Sequence, residues 1–463
     1  MLRNYFKTAL RFLYKNKVFA VINGLGLSIA MATSFIILLF VINEFSYNRF
    51  NKNNKRIYRV VNFYTDFGTT QAGTPYVLAS ALKEDFPQIE RAIRVRPCSF
   101  KLMARNEYIA IYPVMTADSE IFDIFTFPLI MGASNEHLLD DLNSLVLSKD
   151  LAQKLFPDEN PVGEEIMGMV NSEEHSFIIT GVFEDIPVNS TLRAQCFINS
   201  KWSLDPINKS FGITNADESW THDFWFTWIL LTKGSDANDL EAQYESFEKK
   251  YISEQPHNHY SLQKLSDVYL KSDDVQNTGI KGNMKNVRLF SLISILIILV
   301  AAINYIILST ALSTIRAKEI GIRKTFGAGN ISIRNQMLSE SILIVVLILP
   351  VALILAWIAL PYAGKLFQKE LFIIDLNIIT YSSVYVIVTI LIGLSAGLYT
   401  STYLPKLKVL EIMKNTAYTG KRKSLLRSAL IIIQLVIFCS FVSSVLTIRS
   451  QYQYALNKDT GHN

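Results

Sequence analysis

Two glycine–lysine pairs are the places where a phosphate-binding loop could end. Such a loop needs Gly-x4-Gly-Lys followed by Ser or Thr, because that hydroxyl holds the magnesium ion of the nucleotide. Here Gly364-Lys365 is followed by a leucine, and Gly420-Lys421 is followed by an arginine. We therefore expect any ATPase to be a separate protein and ATP to be bound by that partner subunit. No catalytic constellation stands out in 44–287 either, so we expect no cofactor and no enzymatic activity in this chain.

Histidine and cysteine offer little further chemistry. His257 and His259 lie in QPHNHY, a turn-like stretch without a nearby Cys or acidic cluster, which favours a surface loop over a metal site. Cys439 lies within an apolar run and is typical of packing. Cys98 and Cys196 share one long polar segment, and a disulfide between them is left open because sequence separation does not fix their distance.

The most distinctive segment is rich in basic residues and contains several glycines. Its residue types indicate binding to a partner rather than catalysis. RAKEIGIRKTFGAG runs from Arg316 to Gly329 between two apolar runs. One reading is a short helix over 317–325 that lies along the membrane, with a Glu319–Arg323 pair four residues apart and a glycine turn behind it. The alternative is a solvated basic loop that binds anionic lipid.

The docking reading involves a defined set of residues. Glu340 is expected to begin the next span, where it caps the helix or pairs with an arginine of the loop. The full candidate set for coupling to a partner is Arg316, Lys318, Glu319, Ile320, Gly321, Ile322, Arg323, Lys324, Phe326, Gly327, Gly329 and Glu340.

Five apolar runs along the chain are candidate membrane spans, and two of them flank this basic segment. Each is long enough to cross a bilayer, which takes about 20 residues. The predicted spans are 18–43, 288–315, 336–361, 378–402 and 428–448. Within the first, Gly24, Ser28 and Ala32 recur every four residues and form a small-residue stripe, which either packs against another helix or reflects ordinary tolerance of small residues.

Charge predicts the orientation of the spans. Residues 1–17, 316–334 and 403–427 carry net charges of +5, +4 and +6, whereas 44–287 holds 34 acidic and 23 basic residues. Short basic segments stay in the cytoplasm. The sequence thus predicts a multi-pass membrane protein with 1–17, 316–335 and 403–427 inside, and 44–287, 362–377 and 449–463 outside.

The external segment 44–287 reads as an α+β domain inserted into an α-helical membrane protein. Its strands include Phe177–Phe183 and Phe224–Thr232, and Ser148 is placed to cap a helix. An aromatic run stands out: Trp220, Phe224, Trp225, Phe226 and Trp228. Its alternation favours a half-buried strand over an exposed binding site.

Several stretches resemble one family, the FtsX-like, MacB-type ABC transporter permeases. NKVFAVINGLGLSIA with NEFSYNRFNKNNKRIYRV resembles its first helix and exit, and NPVGEEI with ITGVFEDIPVNS its periplasmic core domain. INYIILSTA, RAKEIGIRKTFGAG and QMLSES resemble its membrane domain, over 288–410. The resemblance implies a multi-pass permease subunit of the bacterial inner membrane that couples a separate cytoplasmic ABC ATPase to movement of the external domain.

The resemblance also implies cargo and partners. Lipoproteins, drugs and peptides are the expected cargoes; the alternative is a signalling or scaffold protein that activates a cell-wall hydrolase or a sensor. Residues 421–448 resemble the opening of a second unit, so we expect the N-terminal part of a two-unit permease that works with a second half or as a homodimer. A periplasmic fusion protein and membrane lipid are further expected partners, and nucleic acid is not.

Overall fold

The computed structural model describes residues 14, 17–132, 137–157, 159–252, 258–327, 329–367, 383, 386–387, 390–391, 394, 398 and 421–458. The chain divides into two compact units. One comprises Met1–Ile42 and Val287–Asn463, and the other is Asn43–Asn286.

The helices of the described chain vary from one turn to more than ten. In chain order they are α1 (Lys17–Ser46), α2 (Leu78–Asp85), α3 (Ile121–Ile124), α4 (Lys149–Leu155), α5 (Leu204–Phe211), α6 (Ala237–Glu241), α7 (Tyr244–Tyr251), α8 (Leu265–Val268), α9 (Met284–Thr325), α10 (Asn330–Phe367) and α11 (Lys421–Asn457).

The strands all belong to the second unit. They are β1 (Ile57–Tyr64), β2 (Thr69–Gln71), β3 (Ile89–Ala104), β4 (Glu107–Ala117), β5 (Leu129–Gly132), β6 (Ser144–Ser148), β7 (Glu165–Val170), β8 (Glu173–Phe183), β9 (Cys196–Asn199), β10 (Phe226–Leu231), β11 (Asn258–Lys264) and β12 (Val275–Gln276).

Four helices in the described part of the chain are long and apolar enough to cross a membrane. The qualifying stretches are Gly24–Ser46, Met284–Ile307, Asn330–Phe367 and Ile431–Asn457. The fourth predicted span, 378–402, lies outside the described residues except for seven positions between 383 and 398. Two boundaries differ from the prediction: α9 continues ten residues past the expected end of its span at 315, and α10 begins at Asn330 rather than at 336.

Helices α1, α9 and α10 pack together through apolar side chains. Their shared core includes Leu27 and Phe35 from α1, Tyr305 from α9, and Val345 from α10. Aliphatic and aromatic side chains fill most of this contact, together with the small residues Ala32, Ala352 and Ala356. In contrast, the described side chains of α11 from Ile431 onward are all outside any core.

The second unit is built on a twelve-stranded mixed sheet, which confirms the predicted α+β domain. The strand order is β12-β2-β1-β10-β3-β4-β9-β6-β8-β5, with β11 pairing β1 and β7 pairing β3 and β8. Tight turns fix its two longest hairpins. Arg105 and Asn106 join β3 to β4, and Asn171 and Ser172 join β7 to β8, all four at positive φ. Two consecutive positive φ angles match the right-handed twist of the strands they connect.

Apolar clusters cover both faces of this sheet. Phe122, Phe183, Phe197 and Trp228 belong to the largest cluster. The predicted strand Phe177–Phe183 forms the second half of β8, and Ser148 caps α4 as predicted, its hydroxyl accepting from the Leu151 amide.

Candidate coupling segment

The basic segment is a helical hairpin rather than a loop that carries a separate short helix. Helix α9 runs without interruption from Met284 to Thr325, so residues 317–325 are its last turns. Helix α10 starts five residues later, at Asn330. The expected short helix is therefore wrong as a separate element. Nothing in 316–325 interrupts the helix, because this stretch has no proline and its one internal glycine is tolerated there.

The connection between the two helices depends on Gly327. Its φ of +87° lies in the left-handed region, where only glycine is free of strain. Its amide donates to the carbonyl of Lys324 at 3.0 Å, and the Phe326 amide donates to that of Ile322 at 3.2 Å. Gly329 is different, since its φ lies outside that region and space around it is open. Only one of the two glycines is thus required by the backbone.

The tip of the hairpin presents apolar side chains to its surroundings. Phe326 is 88% exposed, and Ile322 and Ile331 are also exposed. Arg334 is exposed beside them, while Lys324 is half-buried. An exposed apolar patch of this kind marks a site that interacts with another protein or with the membrane. The sequence prediction named Ile322 and Phe326 for this face and missed Ile331.

Part of the candidate set is described only by its backbone. Arg316, Lys318, Glu319, Ile320 and Arg323 are helical, and their side chains lie outside the described ones. The Glu319–Arg323 pair therefore stays a prediction. Gly321, on the same turns, is buried.

The sequence predicted Glu340 at the start of a helix, and this prediction is wrong. Glu340 is the eleventh residue of α10, whose first residue is Asn330, and so it does not cap that helix. Its carboxylate is buried and accepts from the Gln336 amide nitrogen at 2.9 Å, one turn earlier. The sequence misplaced it because the apolar run begins after Glu340, whereas the helix extends beyond the apolar run.

The residues of the predicted small-residue stripe on α1 differ in their surroundings. Ser28 and Ala32 are buried against the bundle, but an added Cβ at Gly24 would meet no described atom within 4 Å. The closer approach is at Gly26, where an added Cβ would lie 3.8 Å from the Asn304 side chain of α9. Within the described chain, two of the three stripe residues support helix packing.

A clasp in the second unit joins the end of α1 to the segment that leads into α9, and sequence reasoning missed it. Tyr47 stacks on Tyr269 with ring centroids 3.4 Å apart, and the Tyr269 hydroxyl donates to buried Glu44 at 2.9 Å. The amide of Gly282 donates to the Tyr269 carbonyl at 2.8 Å. Asn48 adds a bond to the Leu265 carbonyl at 3.1 Å. The polar residues in NEFSYN were the available signal, but their partners lie more than 200 residues away.

The cysteines and the aromatic run are structural. Val114 on β4 pairs with both Cys98 on β3 and Cys196 on β9, so the two cysteines are two strand spacings, roughly 10 Å, apart. That distance exceeds disulfide reach, and both are free thiols.

Trp225 and Trp228 are buried, which favours the core-packing interpretation of the aromatic run.

Two parts of the chain match family models. Residues 20–247 match the model of the MacB-like periplasmic core domain. Residues 291–404 match that of the FtsX-like permease C-terminal region. Comparison with curated proteins gave no match.

Three solved structures are similar to slightly less than half of this chain. A domain from a Porphyromonas gingivalis protein described as a permease is 22% identical, with a TM-score of 0.39, covering 46% of this chain and 92% of that one. The periplasmic region of MacB from Actinobacillus actinomycetemcomitans is 13% identical, with a TM-score of 0.33 and coverage of 46% and 90%. The extracellular domain of the noncanonic ABC-type transporter YknZ from Gram-positive bacteria is 13% identical, with a TM-score of 0.31 and coverage of 45% and 99%.

The two family matches are to the external and membrane parts of one kind of protein, a membrane permease. The chain belongs to the FtsX-like, MacB-type ABC transporter permeases. Permeases of this kind work with a cytoplasmic ATPase.

Proposed function

We propose that this permease couples ATP hydrolysis by a separate cytoplasmic ABC ATPase to movement of its external domain, and that the hairpin tip is the point of contact. The exposed apolar tip carries this proposal. A large aromatic side chain that is 88% exposed gains most from burial in a groove of a partner. The flanking cations suit an acidic rim around such a groove.

The continuous helix supplies the transmission. At about 1.5 Å per residue, 42 residues of α9 span about 60 Å, which is more than the roughly 30 Å of a bilayer core. A displacement of the tip is carried along an unbroken hydrogen-bonded rod to Met284. From there the chain continues into the segment held by the Tyr47–Tyr269 clasp. The external domain then moves with the spans rather than passing cargo between them.

The proposal includes an orientation, which rests on the distribution of charge along the sequence, and a class of cargo, which rests on the resemblance to the family. The hairpin tip and the basic segments 1–17 and 403–427 face the cytoplasm, and Asn43–Asn286 faces outward, in the inner membrane. The cargo is a lipoprotein, a drug or a peptide that is exported or extracted. A second permease unit packs against α11, whose described apolar side chains are exposed.

The test is co-purification with a matched pair of substitutions. Phe326→Asp places a charge at the tip, and Phe67→Asp places one at a phenylalanine of the external domain that is also mostly exposed, at 77%. We expect both variants to reach normal membrane levels. Phe326→Asp should lose the ATPase that co-purifies with the tagged parent, as identified by mass spectrometry, and Phe67→Asp should retain it. Equal ATPase recovery in both variants would reject the tip as the contact.

A further inference from the structure

A cavity of about 370 Å³ lies within the external unit, away from the coupling segment. Strands β1, β3, β4 and β10 form its wall, and its apolar lining includes Val95, Val114, Met115, Phe226 and Trp228. Exposed Tyr112 and Gly279 lie at its rim. Cavities of 300–1,000 Å³ with mainly apolar walls and few polar groups are typical of small-molecule sites.

Arg59 brings an unneutralised positive charge to this cavity. Its guanidinium is almost fully buried, and its Nε has no hydrogen-bond partner. The other nitrogens donate only to neutral acceptors: Gln263 Oε1 at 2.6 Å, Ser272 Oγ at 3.3 Å and the Thr278 carbonyl at 3.4 Å. Burial lowers the pKa of Arg59 to about 10, which still leaves it charged at neutral pH. A buried charge without a counter-ion is costly, and so it marks a place where an anion is expected.

Arg193 adds a second guanidinium to the lining. It is half-buried and donates to the carbonyls of Val188 and Ser190, not to a carboxylate. Among the described residues that line the cavity there is no Asp, Glu or Lys. The lining therefore combines two positive charges, no negative charge and a broad apolar wall.

We propose that this cavity binds an amphiphile with one carboxylate head and an apolar body, the chemical class of a medium-chain fatty acid. The carboxylate completes the donor set of Arg59, since a planar guanidinium and a planar carboxylate form paired hydrogen bonds. The apolar body packs on Trp228, Phe226 and the valines. This site does not rest on the proposed coupling, and binding is measured without any ATPase, so that each proposal can fail alone.

The test uses a brominated probe, because bromine quenches tryptophan fluorescence on contact. The full chain is placed in lipid nanodiscs in a Trp357→Phe background, which removes the exposed tryptophan of α10. Titration with bromodecanoate should give saturable quenching that is lost in Trp228→Phe. Bromodecanol has the same body without the charge, and it should bind about tenfold more weakly or worse.

Three variants test which positively charged side chain binds the carboxylate. Arg59→Met should weaken bromodecanoate binding about tenfold or more, and Arg193→Met about threefold. Lys281→Met removes an exposed charge one residue beyond the lining and should leave binding unchanged. Should Arg59→Met fail to fold, Arg193→Met, at a half-buried position, decides the matter. Equal binding of acid and alcohol, quenching that persists in Trp228→Phe, or unchanged affinity in both folded arginine variants would overturn the proposal.

Discussion

At the scale of single residues, the coupling hairpin depends on one backbone conformation. Gly327 turns the chain between α9 and α10 at a φ of +87°, and Gly329, two residues on, does not need a glycine conformation. Alanine substitutions at these two glycines therefore distinguish the effect of an added methyl group from the effect of backbone strain.

Gly327→Ala should disturb the tip, and Gly329→Ala should not. A side chain in the left-handed region costs about 1–2 kcal/mol, which is enough to shift the turn without unfolding the bundle. Gly327→Asn should recover most of the function, because asparagine tolerates this region. The measurement is the ATP hydrolysis rate of the co-purified ATPase in lipid. Equal rates for all three variants would show that the turn does not matter.

Asp223 is one residue whose environment makes the stability of the fold depend on pH. Burial raises the pKa of its carboxyl to about 6, against hydrogen bonds from Tyr64 and Asn62 that lower it. Because the folded-state pKa is above the unfolded value, this group favours the fold fully below about pH 4, and that contribution is lost as the pH rises through about 6. The rise from 3.8 to about 6 corresponds to about 3 kcal/mol.

Asp223→Asn should therefore melt at a higher temperature than the parent at pH 7.5 and at a similar temperature near pH 4. Exposed Asp217 provides the control, since Asp217→Asn should follow the parent at both pH values. Thermal unfolding of the full chain in detergent measures this. A parallel pH dependence in the parent and in Asp223→Asn would contradict the assignment.

At the scale of elements, the sequence indicated which segments are apolar helices but not where they end. Hydropathy ended a span at 315, whereas the helix continues to Thr325 because its polar residues keep helical backbone hydrogen bonds outside the apolar stretch. For the same reason Glu340 was expected at a helix start and lies in the interior of α10. The local turn at Gly327 was predictable, since glycine is the residue such turns require.

Partners from distant parts of the chain were beyond sequence reasoning. Arg59 meets Gln263 and Thr278 only because β1 pairs with β11 and lies near the segment that follows it. The Tyr47–Tyr269 stack has the same origin. Periodicity fixes the faces of strands, but it does not say which strands become neighbours in a twelve-stranded sheet.

The continuity of α9 yields a prediction that separates binding from transmission. Ala317→Pro removes a helical hydrogen bond and kinks α9 between the bundle and the tip, at a cost of about 3 kcal/mol. We expect the ATPase still to co-purify while its permease-dependent hydrolysis falls to the rate of the isolated ATPase. Ala317→Ser, which keeps the helix, should behave as the parent. Full hydrolysis in Ala317→Pro would show that a continuous helix is not needed.

At the scale of the whole molecule, the chain combines a membrane unit and an α+β unit that are joined by two continuous segments, α1 and the stretch leading into α9. Exposed apolar side chains, Ile322, Phe326 and Ile331, lie with exposed Arg334 at the α9–α10 tip. We propose that this tip contacts an ATPase on one side of the membrane and that the Asn43–Asn286 unit acts on the other.

The most direct measurement of this claim is photo-crosslinking from the tip in living cells. A photoreactive phenylalanine analogue at position 326 should form a crosslink to an ABC ATPase, which mass spectrometry of the product identifies. The same analogue at position 67, an exposed phenylalanine of the external unit, should form none. If position 326 crosslinks only to lipid, or if position 67 captures the ATPase, the hairpin tip is not the coupling point.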